Sequence, residues 1–263
     1  MKRWIFLAYG VSCHVLFLVT YALMAGFVGG FDIVWAIDAP PTSASLPQAL
    51  AIDGALLLLF AAQHSIMARP GFKRVWTRIV PEPIERSTYV LISNLLLVVL
   101  MALWQPIDAI VWNVEHPVGH MLLWALFGAG WLMVPLVSLM IDHFDLFGTR
   151  QVWLHWEGRE YQPLPFHTRA LYRSIRHPLY VGWALAFWAT PTMTAGHLLF
   201  AAALTGYMAL AVRIEERDLV RFFGSVYEEY RERVPMFVPR ISLRAMVSGR
   251  NHSADAASPS GMR

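Results

Sequence analysis

The stretch GHMLLWALFGAGWLMVPLVSLMI (residues 119–141) contains no Asp, Glu, Lys or Arg. A helix needs roughly 20 apolar residues to cross the hydrocarbon core of a membrane. Residues 5–28 and 88–104 also lack charges, as do residues 54–67, which reach spanning length as 49–67 if Asp53 lies near the outer border. Two further apolar runs, 179–190 and 195–212, flank a break at Pro191 and Gly196. Because helices satisfy their own backbone hydrogen bonds in lipid, the sequence predicts an all-α integral membrane protein. We expect about six transmembrane helices, of which the last two could form a helical hairpin.

The overall composition agrees with a membrane protein. Hydrophobic residues make up 57% of the 263 residues and charged residues only 15%, whereas about 25% is usual in soluble domains. The net charge of +3 would fit nucleic-acid binding in a soluble protein. Here membrane orientation already accounts for the basic residues, so we predict no nucleic-acid partner.

The positions of the basic residues predict the orientation. All 21 Lys and Arg residues fall in the segments 2–3, 69–86, 150–176 and 213–263. The alternate connections, 31–48, 105–118 and 191–196, contain none. Since positive residues stay on the cytoplasmic side, six crossings with both termini in the cytoplasm satisfy every connection. The basic connections are therefore expected on the cytoplasmic side of the membrane.

The chain divides into three regions by composition. We expect a four-span membrane region at 1–141, a loop, hairpin and C-terminal core at 142–240, and a disordered tail at 241–263, whose residues are mostly small and polar. The single Cys13 excludes an internal disulfide and a multi-cysteine metal site. It lies within the first apolar run, where we expect a small buried residue.

The longest basic connection, 142–176, is a candidate functional segment because long structured loops are more often functional than idle. Asp142, His143 and Asp145 suggest a metal site at first sight. Their spacing does not match a familiar set of metal ligands, so no metal is predicted.

The sequence RSIRHPLYVGW (173–183) places basic residues directly before an apolar run. Pro178 fits the first turn of a helix. The free N–H groups of that turn, backed by Arg176 and His177, would attract an anion such as a lipid phosphate or a ligand carboxylate. Gly182 would allow a close approach to the backbone. The residues alone leave a membrane-border cluster and a ligand site equally open.

A second charged stretch, RIEERDLVRFFGSVYEEYRERVPMFVP (213–239), follows the last apolar run. Arg213 and Glu216 are three residues apart and would share a helix face. A carboxylate at Glu215 or Glu216 is costly beside lipid unless it has a partner. Taken alone, this stretch favours a solvated exit helix with internal ion pairs over a pocket.

Together, LYRSIRHPLYVGW and the Glu-Glu stretch resemble the C-terminal core of the membrane-embedded S-adenosylmethionine methyltransferases. That superfamily includes isoprenylcysteine carboxyl methyltransferase and bacterial phospholipid methyltransferases. The N-terminal stretches QHSIMARPGFKRVWTRIVPEPIERSTYVL (63–91) and DHFDLFGTRQVWL (142–154) are similar to the NnrU-related branch. Within that branch, the chain resembles bacterial enzymes that convert methanethiol to dimethyl sulfide. The resemblance covers nearly the whole chain except the tail.

The resemblance implies S-adenosyl-L-methionine as the cofactor, in a pocket on the cytoplasmic side. It also implies a small thiol as the acceptor, which would arrive from the bilayer. Carried over residue by residue, it assigns these residues to the cofactor: Tyr172, Arg176, His177, Pro178, Leu179, Tyr180, Gly182, Glu215 and Glu216. It places Glu216 in the pocket with Arg213 beside it.

A thiol acceptor must react as the thiolate. A small alkyl thiol is no more acidic than the side chain of Cys, whose pKa is about 8.5. A general base is therefore expected, with His64, His143 and Glu216 as candidates. Methylation of another acceptor (an isoprenylcysteine carboxyl group, a lipid or another thiol) stays open. So does a non-catalytic NnrU-type membrane protein linked to nitrogen-oxide metabolism.

Overall fold

The structure is a computed structural model that describes residues 1–31, 33–40 and 42–239. The tail predicted at 241–263 lies outside these residues. The elements, in chain order, are α1 (Lys2–Val28), α2 (Leu46–Met67), α3 (Pro70–Trp76), α4 (Glu82–Leu103), β1 (Ile110–Asn113), α5 (Pro117–Ile141), α6 (His143–Leu146), α7 (Thr149–Glu157), a 3-10 turn (Ala170–Arg173), α8 (Pro178–Trp188), β2 (Thr192–Thr194), α9 (Ala195–Phe223) and α10 (Ser225–Arg233).

Helices dominate the structure, and five of them (α1, α2, α4, α5 and α9) are long and apolar enough to cross a membrane. The prediction of a helical, multi-pass membrane protein is thereby confirmed. Large apolar side chains on these helices face outward, such as Leu58, which is 72% exposed, and Leu132, which is 66% exposed. Lipid chains around the bundle would cover such residues. Cys13 is 3% exposed, which confirms that it is buried.

The predicted fifth crossing is shorter than the others. Helix α8 begins at Pro178, as predicted, and has 11 residues, or about 16 Å at 1.5 Å per residue. The residues 189–194, which include β2, add at most about 20 Å when extended. Strand β2 then pairs antiparallel with β1, with Asn113 opposite Thr192. The chain thus reaches the end of the molecule that carries the connection between α4 and α5.

The three connections without Lys or Arg meet at that end. The hydroxyl of Thr194 donates a hydrogen bond to Asp38, and the hydroxyl of Thr42 donates to Gln105 at 2.6 Å. Residues of 31–48, 105–118 and 191–196 are therefore joined by side-chain and strand hydrogen bonds. This agrees with the alternation of basic and uncharged connections.

Helices α5 and α8 cross closely because glycine lies on both of them. A Cβ atom added at Gly130 would lie 2.5 Å from the backbone nitrogen of Ala186 and 2.9 Å from the carbonyl oxygen of Gly182. Nearby, Phe27, Phe200 and Ala186 are completely buried in the main apolar core. This crossing fixes α8 against the bundle and so fixes where its first turn lies.

Candidate active site

The segment before α8 is held by the chain that follows α10. The backbone N–H of Arg176 donates to the carbonyl of Pro235 at 2.9 Å, and that of His177 donates to Met236 at 3.1 Å. Residues 176–177 and 235–236 therefore run side by side, although 59 positions separate Arg176 from Pro235. The two stretches that carry the sequence resemblance are in direct contact.

Arg176, His177 and Glu216 form a buried group that we call the ion-pair cluster. Arg176 Nε lies 2.7 Å from Glu216 Oε1, and His177 Nε2 lies 3.0 Å from the same oxygen. The guanidinium of Arg176 also donates to the carbonyls of Arg231 and Val234, at 2.8 and 2.5 Å. The Glu216 residue is 7% exposed. A buried carboxylate needs such partners, since an unpaired charge is costly away from water.

Tyrosines surround this cluster. The hydroxyl of Tyr180 donates to Glu215 at 2.7 Å, and that of Tyr230 donates to the carbonyl of Tyr172 at 2.7 Å. Burial raises the pKa of Tyr230 to about 12. Burial and the nearby Glu215 carboxylate raise the pKa of Tyr172. Glu215, which lies 35 positions after Tyr180, is therefore brought close to both Tyr172 and Tyr180 here.

Two expected site residues lie elsewhere. Arg213 is exposed, and Glu216 bonds to Arg176 and His177 instead, so the expected placement of Arg213 beside Glu216 is wrong. A guanidinium that can be buried with the carboxylate makes a stronger, charge-assisted bond than one that stays in solvent. Gly182 is buried in the α5–α8 crossing, 3.3 Å from Met133 and Val134, so its close contact is with a helix.

Beside the first turn of α8 lies a cavity of about 310 Å³. Helices α1, α2, α4, α5, α8 and α9 line it with mainly apolar side chains. Leu179 and Tyr180 belong to its wall, which connects it to the predicted cofactor segment. His64 also lines the cavity, with both ring nitrogens 2.9 Å from the Tyr89 hydroxyl.

Several polar groups in the cavity wall have no hydrogen-bond or salt-bridge partner among the described residues. Arg86 lines the cavity and lies over the Tyr89 ring, 6.0 Å from its centroid, but it forms no salt bridge in that part of the chain. Thr20 Oγ1 and Asn94 Nδ2 are buried without a hydrogen bond there. Such orphaned groups are rare in folded proteins. A polar ligand in the cavity would satisfy them.

His143 reaches the cavity indirectly. Its Nδ1 atom lies 2.7 Å from Ser138 Oγ, and Ser138 lines the cavity. Burial lowers the pKa of His143, and the neighbouring His14 lowers it further, while Asp142 acts in the opposite direction. Asp145 forms a salt bridge with Arg150, in which Oδ1 of Asp145 lies 2.8 Å from the guanidinium. Over the described residues, no three His, Cys, Asp or Glu side chains lie close enough to hold a metal ion.

Five residues of this region were not predicted from the sequence: Arg86, Tyr89, Thr20, Asn94 and His14. Four of them carry a signal that could have found them, because polar residues inside apolar spans are costly and often functional. Arg86 lies at the start of α4, where the same charge also suits a membrane border. For that reason the position of Arg86 alone does not distinguish a cavity residue from a membrane-border residue.

The fold and the site together define a class: a helical membrane protein with a largely apolar cavity beside a buried Arg-His-Glu cluster. Methanethiol S-methyltransferase of Crocosphaera subtropica is 47% identical to this chain over 245 residues, which is 93% of this chain and 96% of the relative. The enzyme of the same name from Mycobacterium tuberculosis is 47% identical, covering 91% and 98%. The chain belongs to the methanethiol S-methyltransferase family.

A more distant relative is human nurim, which is 34% identical over 184 residues, or 66% of this chain and 70% of nurim. No family model matches the chain. No solved structure matches it either.

Proposed function

We propose that this protein transfers a methyl group from S-adenosyl-L-methionine to methanethiol and releases dimethyl sulfide. The observation that carries the proposal is the mainly apolar cavity, with Arg86 and two unpartnered polar atoms in its wall. The cavity adjoins the Arg-His-Pro segment through Leu179 and Tyr180. The names of the relatives that match at 44–47% identity support a small thiol as the acceptor.

The cavity fits the methyl donor in size and in charge. Its volume of about 310 Å³ is at the lower end of small-molecule sites, roughly 300–1,000 Å³. Arg86 and the free N–H groups of Leu179 and Tyr180, at the N-terminus of α8, suit a carboxylate. Thr20 and Asn94 offer hydrogen bonds to the polar parts of such a ligand. When bound, S-adenosylmethionine supplies a reactive methyl group on a positively charged sulfur.

The remaining residues assigned to the cofactor position Leu179 and Tyr180 and do not contact the cofactor themselves. Arg176, His177 and Glu216 hold the start of α8, where Leu179 and Tyr180 line the cavity. Glu215 accepts a hydrogen bond from the Tyr180 hydroxyl at 2.7 Å, and this bond fixes the Tyr180 ring beside the cavity. In this assignment Leu179 and Tyr180 contact the cofactor and the ion-pair cluster supports them.

The thiol acceptor needs a base, because at neutral pH most of it carries its proton. Oε1 of Glu216 already accepts bonds from Arg176 and His177, so we assign Glu216 a positioning role. His64 and His143 are the bases that reach the cavity, the first directly and the second through Ser138. Transfer from a cationic to an anionic sulfur consumes both charges, so an apolar wall that excludes water favours it.

We further propose that the protein lies in the cytoplasmic membrane of a bacterium with both termini inside. The distribution of basic residues supports this orientation. Methanethiol is small and apolar, and therefore can enter a cavity between membrane helices from the bilayer itself. No other partner is required for the chemistry.

A bacterium that makes no dimethyl sulfide should release it into the headspace when it expresses this protein and is fed methanethiol.

Arg86→Gln should weaken binding of the cofactor by about tenfold or more, since a hydrogen bond to a charged group contributes about 1.5–3 kcal/mol. Calorimetry with S-adenosylhomocysteine on the purified protein measures that loss. Arg78→Gln is the matched control, because Arg78 is exposed and outside the cavity.

Correctly inserted protein that yields no dimethyl sulfide would contradict the proposed acceptor. Equal S-adenosylhomocysteine affinity in wild type and Arg86→Gln would remove Arg86 from the cofactor site.

A further inference from the structure

A line of hydrogen-bonded side chains leads away from the cavity beside α1. Ser138 lines the cavity, and its Oγ lies 2.7 Å from His143 Nδ1. His143 Nε2 lies 3.3 Å from His14 Nε2, and His14 Nδ1 lies 2.9 Å from Thr149 Oγ1. We call these four residues the histidine chain. It joins α5, α6, α1 and the first residue of α7.

The four contacts are compatible with a single direction of proton donation. The Ser138 hydroxyl donates to Nδ1 of His143, the Nε2–H of His143 donates to His14, and the Nδ1–H of His14 donates to Thr149. Each imidazole accepts on one nitrogen and donates from the other, which is how histidine passes a proton along. The Ser138 hydroxyl also has the carbonyl of Pro135 at 2.8 Å, so it can turn between two acceptors.

We propose that the histidine chain carries the proton of the acceptor thiol out of the cavity to Thr149, at the start of α7. This inference rests on the proposed function. The S–H bond breaks with its electron pair left on sulfur, and that pair then forms the new S–C bond. The proton enters at Ser138 as the serine proton moves to His143, and the shift through His14 delivers one proton to Thr149 and the water beyond it. One proton is released in each turnover.

His64 does not offer such an exit. Its side-chain partners are Tyr89, at 2.9 Å, and Ser93, at 3.4 Å. Ser93 in turn bonds to Gln63 and to the carbonyl of Tyr89. These contacts all lie within α2 and α4, so no hydrogen-bonded path among the described residues leads from His64 out of the bundle. The histidine chain, in contrast, reaches α7.

The groups that face the two imidazoles do not hold a proton on either ring, so the rings can pass it on. Asp142, from the N-terminus of α6, is the carboxylate that acts on His143. Asp145 of the same helix is occupied by Arg150 of α7. From α1 and α5 the rings meet Phe17 and Ser138, which carry no charge. Burial lowers the pKa of His143, so the ring is neutral near pH 7 and ready to accept.

The test uses His14→Gln and His143→Gln in the full-length purified protein. With methanethiol, kcat/KM should fall by roughly 10²-fold near pH 7, the usual contribution of a positioned acid–base group. The loss should shrink only as the pH rises toward the pKa of methanethiol, which lies above the value of about 8.5 for Cys, because the thiol then ionises without help. Methaneselenol, which is ionised near pH 7, should be methylated at near wild-type rates. His120→Gln, an exposed histidine on α5, is the matched control and should behave as wild type.

Binding of S-adenosylhomocysteine, measured by calorimetry, should be the same in all four proteins. An equal loss for both acceptors at every pH would assign the two histidines a structural role and overturn the proposal. Full activity in both variants near pH 7 would overturn it as well. A wild-type protein that methylates neither acceptor contradicts the proposed function, and the relay with it.

Discussion

At the scale of single residues, the ion-pair cluster explains how a buried carboxylate is tolerated beside lipid. The sequence left two readings of Glu216 open, an exit residue paired with Arg213 and a pocket residue. The structure shows a partner 40 positions earlier in the chain, Arg176, at 2.7 Å. Sequence spacing identifies neighbours on one helix, but a contact across 40 positions depends on how helices dock. That is why the carboxylate was predicted and its partner was not.

Glu216→Gln should lower both stability and activity. Removing one member of a buried ion pair leaves the other charge uncompensated, which costs about 3–5 kcal/mol. A lower melting temperature in detergent and a weaker affinity for S-adenosylhomocysteine should therefore appear together. Glu229→Gln is the matched control, since Glu229 is exposed on α10. A Glu216→Gln protein that melts and binds like wild type would contradict the positioning role.

At the scale of elements, α8 was predicted best at its start and least well at its end. Pro178 fixes the first turn, and the helix begins there. The apolar run continues to residue 190, whereas the helix ends at Trp188, and β2 follows at Thr192–Thr194. A strand of three residues carries almost no pattern of its own and forms because β1 lies opposite. The site depends on the start of α8, so the prediction was most accurate where function is concerned.

The α5–α8 crossing makes a clear prediction at this scale. In Gly130→Ala the new Cβ would meet backbone atoms of α8 at 2.5 and 2.9 Å, so the helices must separate. Such overpacking typically costs about 1–3 kcal/mol, and the melting temperature should fall. Gly128→Ala, on the same helix, has nothing within 4 Å and should be neutral or slightly stabilising, since Ala favours helix over Gly. Equal melting temperatures in the two variants would contradict this crossing.

At the scale of the whole molecule, charge and hydropathy alone predicted a helical membrane protein whose uncharged connections share one side. The stretch at 119–141 and its counterparts at 5–28 and 88–104 became helices that the structure describes as long enough to cross. The cavity was not predictable in this way, because its wall combines residues such as Thr20, Asn94 and Ser138 from separate helices. Their meeting depends on the rotation and crossing of each helix, which hydropathy does not report.

In the proposed reaction, a methyl group moves from a sulfonium to methanethiol inside that cavity. The most direct test of this reaction supplies purified protein with methanethiol and S-adenosylmethionine that carries a trideuterated methyl group, and analyses the gas phase by mass spectrometry. We expect dimethyl sulfide with one deuterated and one unlabelled methyl group, formed in equal amount to S-adenosylhomocysteine. Folded protein that binds the cofactor but yields no labelled dimethyl sulfide would contradict it.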